Sequence, residues 1–266
     1  KVFRSCPELK VISRWGAGVD SIDIKAATRH GIAVTNTPGF LAQSVADMAI
    51  GLMICVARRL VYANAISRAG TWTEVEGSAV HGKCLGIVGL GSIGTEVARR
   101  AEGFDMRIIA SDPAPRQKEA AELGVEIVPL ERLLKEADFV TLHAPLNPQT
   151  RNMVGEKQLR MMKPTAYLIN TARGGLLDQP ALLRALRDGW IAGAALDTLA
   201  IEPPSKDDPI LKEERCIITP HSAFYTTEAV QRVNAQVCAN IIDVLSGRMP
   251  EFIVNPEVLR PGGQRS

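Results

Sequence analysis

Three late segments of the chain carry polar residues whose types and order could do acid–base chemistry on a small carboxylate. Asn170-Thr171-Ala172-Arg173-Gly174-Gly175 follows an apolar run. It sets a guanidinium in a tight loop, where its planar fork can grip a carboxylate through two N–H groups. The next apolar run delivers Asp197 and then Glu202-Pro203-Pro204, and the one after it delivers Pro220-His221. Taking a hydride from C2 of an alcohol needs a base for the hydroxyl proton, and the reverse reaction needs an acid. Histidine serves as both near neutral pH. A neighbouring carboxylate, available in Glu202, would orient the ring and stabilise its charged form. Arg173, Glu202 and His221 are therefore the expected catalytic residues. His30 precedes Gly31 at a helix end and His81 precedes Gly82-Lys83 in a turn, so both read as surface residues.

Gly89-Leu90-Gly91-Ser92-Ile93-Gly94 supplies a second chemistry. Placed between a strand and a helix, such glycines turn the chain tightly, admit a pyrophosphate and let helix pack on strand. The next apolar run ends in Ser111-Asp112, where an acid can accept both hydroxyls of an adenosine ribose. Asp112 would repel a 2'-phosphate and so favours NAD, while Arg116 a few residues later works in the other direction. His143 ends a strand on the same edge and either lines a nicotinamide pocket or serves the structure alone.

These residues need a sheet to present them. Val- and Ile-rich runs alternate with helix-period segments, as a parallel sheet with helical crossovers requires. Strands are expected at Cys84–Val88, Met106–Ala110, Phe139–Leu142, Ala166–Asn170, Ala192–Leu196 and Cys216–Thr219. Ile93, Val97, Ala101 and Phe104 fall at helical spacing, and a second helix runs from the N-cap Asp178 to Gly189. Further strands are expected near Lys10–Ser13 and Ile32–Thr35, with a long apolar helix over about Ser44–Leu60 and a last helix through Val233, Val237, Ile241 and Val244. The fold class is α/β: a doubly wound parallel sheet over residues 39–221 that binds the dinucleotide, and a smaller α/β substrate domain built from residues 1–38 and 222–266. Arg260–Ser266 reads as a loose polar tail.

Composition narrows the partners. The 266 residues are 46% hydrophobic, enough for a sizeable core, and 31 basic against 29 acidic side chains leave no patch to hold a nucleic-acid backbone. The five cysteines form no CxxC pair and none sits beside a histidine at ligand spacing, so no metal site and a reducing, cytoplasmic setting are expected. The longest apolar run, Val45–Ala57, contains Asp47 and is too short to span a bilayer.

With these residues placed, the sequence resembles the D-isomer-specific 2-hydroxyacid dehydrogenases over nearly its whole length. The resemblance rests on SRWGAGVDSID at Ser13–Asp23, NTPGFLAQSVAD at Asn36–Asp47, GLGSIG, LHAPLN at Leu142–Asn147, NTARGGLLD at Asn170–Asp178, ALDTLAIEPP at Ala195–Pro204 and TPHSAF at Thr219–Phe224. It implies hydride transfer between NAD and a small 2-hydroxy or 2-oxo acid, with Arg173, Glu202 and His221 as the catalytic arginine, glutamate and histidine. It places Asp197 at the nicotinamide carboxamide and His143, Ala144, Pro145, Thr171 and Ala172 along the cofactor. The loop Trp15-Gly16-Ala17-Gly18 would offer backbone N–H groups to the substrate carboxylate, with Arg14 beside it facing a second anionic group or solvent. The resemblance also implies a homodimer with the Ser44–Leu60 helix in its interface, and roughly 50 to 60 residues of the substrate domain ahead of Lys1.

Two departures stand out. Asp47 occupies a position where many members have Glu, and Ser222-Ala223-Phe224-Tyr225 follows the histidine where many phosphoglycerate dehydrogenases read Leu/Ile-Gly-Ala-Ser. The second resembles the corepressor branch of the family, so an NAD-sensing protein-binding module is the alternative. Phe224 either lies beside the substrate or packs a helix start. Formate dehydrogenases carry glutamine where Glu202 stands, which counts against that activity.

Overall fold

The computed structural model describes residues 2–259. In chain order these are α1 (Val2–Ser5), β1 (Val11–Ser13), α2 (Ile24–Arg29), β2 (Ala33–Thr35), α3 (Ala42–Ala57), α4 (Leu60–Arg68), β3 (Cys84–Val88), α5 (Ser92–Ala101), β4 (Arg107–Ser111), α6 (Gln117–Glu122) and β5 (Glu126–Ile127). There follow α7 (Leu130–Glu136), β6 (Phe139–Leu142), α8 (Glu156–Leu159), β7 (Tyr167–Asn170), α9 (Gln179–Arg187), β8 (Gly193–Leu196), β9 (Cys216–Ile218) and α10 (Thr227–Leu245). The chain divides into two compact units, one from Lys1–Leu41 with Tyr225–Ser266 and the other Ala42–Phe224. The polar tail expected at Arg260–Ser266 lies outside the described residues. Among those described, no helix is long and apolar enough to cross a membrane.

The larger unit is a seven-stranded parallel sheet in the order β5-β4-β3-β6-β7-β8-β9. Strand order reverses between β3 and β6, and an open α/β sheet binds ligands just beyond the carboxyl ends of its strands at such a reversal. Every residue of β3, β6, β7 and β8 is buried, as a sheet covered on both faces requires. On one face α3 and α5 pack Met53, Val56, Val97 and Ala98 against Leu85, Ile87 and Ile169. On the other, α7 and α9 pack Leu133, Leu134, Leu182 and Leu186 against Val88, Val140 and Leu168. Asp47 on α3 accepts a 2.6 Å bond from Arg100 on α5, so the shorter acid at this position joins two helices.

The smaller unit pairs β1 with β2 in parallel, and Thr35 bridges to Ile253. Asp23 caps α2 by accepting from Ala26 N at 2.8 Å, and Thr226 caps α10 by accepting from Ala229 N at 3.2 Å.

The expected helix over Ser44–Leu60 is in fact two. It stops at Ala57, and α4 begins at Leu60, because Arg59 takes the left-handed conformation at φ 51°. Helix α5 gives way after Ala101 to a 3-10 turn that carries Phe104. The strands at Met106–Ala110, Ala166–Asn170, Ala192–Leu196 and Cys216–Thr219 begin or end one residue from the expected positions. Asp178 caps α9 as expected, accepting from Ala181 N at 3.0 Å.

Candidate active site

Continuing the strand registers one residue past their ends gives a row of Asp112, Gly89, His143, Thr171, Asp197 and Thr219 across β4, β3, β6, β7, β8 and β9. The sequence-predicted residues of the larger unit cluster on this edge.

At the β3 end the backbone shapes the site. Gly89 has φ +94°, and a Cβ there would meet the backbone of His143 and Ala144 at 2.7 to 2.9 Å. A Cβ on Gly94 would overlap the Gly89 carbonyl oxygen, whereas one on Gly91 would meet nothing within 4 Å. The first and third glycines thus close the turn onto the helix, and the second leaves open space. The N-cap of helix α5 is Gly91, which offers no side-chain cap, so the first N–H groups of the helix remain available to an anion. Asp112 Oδ2 accepts from Leu90 N and its Oδ1 from Ala114 N, each at 2.7 Å. These bonds fix the carboxylate and leave about two of its roughly four acceptor positions for ribose hydroxyls. The open turn, the uncapped helix and the fixed acid fit a dinucleotide.

His143 lies beside Gly89. Its Nε2 bonds Thr141 Oγ1 at 2.9 Å, while its Nδ1 is buried without a partner. Burial pushes its pKa down to about 3, so the ring is neutral at physiological pH. Ala144 is buried beside it, and the Pro145 carbonyl accepts from Thr150 Oγ1 at 2.6 Å.

At the β7–β9 end side chains do the holding. Asn170 is buried: its Oδ1 accepts from Ala172 N at 3.0 Å and its Nδ2 donates to Arg173 O at 3.0 Å, clasping the loop that carries Arg173. The guanidinium donates to Ala172 O at 2.8 Å. Thr171 Oγ1 is buried without a partner. Asp197, only 1% exposed, accepts from Thr219 Oγ1 at 2.5 Å, from Ser222 N at 3.0 Å and from Ala223 N at 2.8 Å. Its carbonyl also accepts from His221 N at 2.8 Å. This one residue therefore ties down the loop that carries His221, whose φ is 51°.

Glu202 Oε2 lies 2.6 Å from His221 Nδ1, and its Oε1 accepts from Leu199 N at 2.9 Å. The carboxylate thus has a fixed orientation and holds the imidazole by one nitrogen, leaving Nε2 to exchange a proton with a substrate. The Phe224 ring meets His221 edge to face, with centroids 6.0 Å apart. Asn170 and Thr219 stand inside motifs of the sequence but carry no role there. For Asn170 the available signal is a polar residue at the end of an otherwise buried strand.

In the smaller unit, Gly16 N donates to Thr37 Oγ1 at 2.9 Å, so that N–H is already used. Ala17 and Gly18 N–H groups make no bond to a described residue. Arg14 is exposed and its Nε donates to Gly18 O at 3.2 Å, while Trp15 Nε1 donates to Asn234 Oδ1 at 2.8 Å.

Residues 50–223 match the model of the D-isomer specific 2-hydroxyacid dehydrogenase NAD-binding domain. The chain is 48% identical over 271 residues to a glyoxylate reductase of Korarchaeum cryptofilum, covering 99% of this chain and 82% of that protein. It is 44% identical over 257 residues to a D-3-phosphoglycerate dehydrogenase of Methanocaldococcus jannaschii, covering 96% of this chain and 49% of the relative. The crystal structure of a glyoxylate reductase from Paecilomyes thermophila superimposes with a TM-score of 0.85 at 37% identity, over 93% of this chain and 76% of the other. The chain belongs to the D-isomer-specific 2-hydroxyacid dehydrogenase family. It is an NAD-dependent oxidoreductase that moves a hydride between nicotinamide and a small 2-hydroxy or 2-oxo acid.

Proposed function

We propose that the protein reduces a small 2-oxo acid, glyoxylate or a close homologue, with His221 as proton donor, Glu202 as its partner and Arg173 as the anchor of the substrate carboxylate. The observation that carries this reading is the 2.6 Å contact between Glu202 and His221 on a loop pinned by Asp197. Bound reduced nicotinamide supplies the hydride. His221 Nε2 gives its proton to the carbonyl oxygen as that oxygen gains charge, and takes it back in the oxidative direction. Arg173 forks onto the carboxylate and sets C2 in place. The Phe224 ring limits the room beside the imidazole. Glyoxylate reductases among the relatives support a small acid.

The larger unit is then the cofactor domain, with Gly89, Gly91, Ser92, Ile93, Gly94 and Asp112 on the dinucleotide, Asp197 near the carboxamide, and Ala144, Pro145, Thr171 and Ala172 along it. His143 would contribute its backbone, since its ring nitrogens are bonded or shielded. The smaller unit is the substrate domain. A homodimer would form through α4, which buries no residue of its own and exposes Leu60, Val61 and Tyr62, together with Trp72 at 93% exposure. Helix α3 is spent on its own core, which moves the expected interface along the chain. The free cysteines fit a cytoplasmic setting.

The test is NADH oxidation, followed by absorbance, with glyoxylate, hydroxypyruvate, phenylpyruvate and 3-phosphohydroxypyruvate. Glyoxylate and hydroxypyruvate should be turned over best. A preference for the phosphorylated acid would overturn the choice of substrate.

A further inference from the structure

The loops that carry Arg173 and Glu202 touch at a point that the acid–base chemistry leaves unused. After Arg173 the chain makes a 3-10 turn over Gly174–Leu176 and enters α9 at Gln179, behind the cap Asp178. Gly174 is buried, and a Cβ there would overlap the Leu199 carbonyl and press on Ala200 N, so the two loops lie backbone against backbone. Gln179 bonds across this contact twice. Its Oε1 accepts from Ala200 N at 3.1 Å, and its Nε2 donates to Asp208 Oδ2 at 3.1 Å and Oδ1 at 3.3 Å. Two consecutive N–H groups of the second loop are thereby taken, that of Leu199 by Glu202 itself and that of Ala200 by Gln179. Asp208 also accepts from the backbone N of the buried Ile210 at 3.1 Å, which fixes the far point of the clasp. The stretch 200–208, with Glu202 inside it, is therefore held at both ends by one amide, on the helix that follows Arg173.

We propose that Gln179 is a positioning residue for the reaction: its amide sets the Glu202 loop against the Arg173 loop, and so fixes where Glu202 holds His221 relative to the carboxylate anchor; this rests on the roles proposed above for Arg173, Glu202 and His221. In a 2-oxo acid the carboxylate and the oxygen that takes the proton stand on adjacent carbons. The anchor and the proton donor must therefore keep one short spacing, and a misplacement of about 1 Å costs about a hundredfold in rate. The backbone contact at Gly174 stops the loops from closing further, and the two Gln179 bonds stop them from parting. Neither Arg173 nor Glu202 is touched by Gln179, so it acts on geometry alone.

The experiment compares steady-state kinetics at saturating NADH, with whichever of the four acids above is reduced fastest, and measures NADH affinity and Tm for each variant. Gln179→Met keeps the length of the side chain and deletes both bonds. Its kcat should fall about tenfold or more, while KM moves less than about threefold and NADH affinity less than about twofold. Gln179→Glu keeps an acceptor for Ala200 N but sets two carboxylates together at Asp208, and it should be at least as slow. Adding Asp208→Asn restores the pair with donor and acceptor exchanged, and should return kcat to within about threefold of wild type. A double variant no faster than Gln179→Glu alone overturns the proposal. So do single variants that lower Tm and leave kcat within about twofold of wild type, since Gln179 would then serve the scaffold only. Glu202→Gln in the otherwise unchanged chain separates the two levels. If its kcat is unaltered, the pairing of Glu202 with His221 fails and takes this inference with it, whereas a slow Glu202→Gln beside normal Gln179 variants overturns the positioning role alone.

Discussion

At the β3–β4 end of the sheet the site is shaped by backbone: a glycine turn, an uncapped helix start and an acid held by two main-chain N–H groups. At the β7–β9 end it is shaped by side chains that reach across 19 to 26 positions of sequence, Glu202 to His221 and Asp197 to Ser222 and Ala223. At Gly89 and Gly94 the backbone cradle tolerates no added atom, but it asks little of side-chain chemistry. A side-chain clamp tolerates changes of shape less critically than changes of charge and hydrogen bonding. In the proposed function, the first region is assigned the part of the ligand common to many reactions, and the second the proton.

The largest effect expected from breaking this contrast is at Gly94. Gly94→Ala forces a Cβ onto the Gly89 carbonyl, a strain that costs about 1–3 kcal/mol and opens the turn. NADH affinity should fall about tenfold to a hundredfold, read by fluorescence titration, while Gly91→Ala, with open space around it, should fold normally.

Asp197→Asn probes the other end with a change of chemistry at constant shape. One face of the amide turns N–H groups toward donors at Ser222, Ala223 or Thr219, leaving a buried conflict of about 1–3 kcal/mol. The His221 loop should loosen, so kcat should fall about tenfold while NADH affinity and KM change less. A parallel fall in folding stability with unchanged kcat would confine Asp197 to the scaffold.

The smallest effect concerns His143, which sits between the two regions. Its folded pKa of about 3 lies below its ordinary value of 6.5, because burial disfavours the charged ring. Between those values the unfolded chain binds the extra proton, so this contribution to stability is fully present above pH 6.5 and is lost as pH falls toward 3. From pH 6.5 to 5 wild type should lose about 1.6 kcal/mol that His143→Asn does not. Urea unfolding at both pH values measures the difference, and equal losses would show that the ring is solvated.

The same contrast explains what could be read from the sequence. The glycine turn, Asp112 and the Asp178 cap are local patterns, and each stands where its spacing put it. Arg173, Glu202 and His221 were legible as polar residues at successive strand ends. The Glu202–His221 contact itself depends on the loop between them and on the Asp197 clamp, which no local pattern encodes. The two-residue strand β5 is exposed and too short to show a period. The break between α3 and α4 turns on one non-glycine residue, Arg59, in the left-handed region, a conformation that its type does not announce.

The proton-donor role proposed for His221 is read in a single-turnover measurement. Enzyme preloaded with NADH is mixed with glyoxylate, and NADH loss is followed for wild type and His221→Asn, with NADH affinity measured separately. The variant should react about 10²- to 10⁴-fold more slowly, with NADH affinity unchanged within about twofold. A variant rate within about tenfold of wild type at equal NADH occupancy would contradict it.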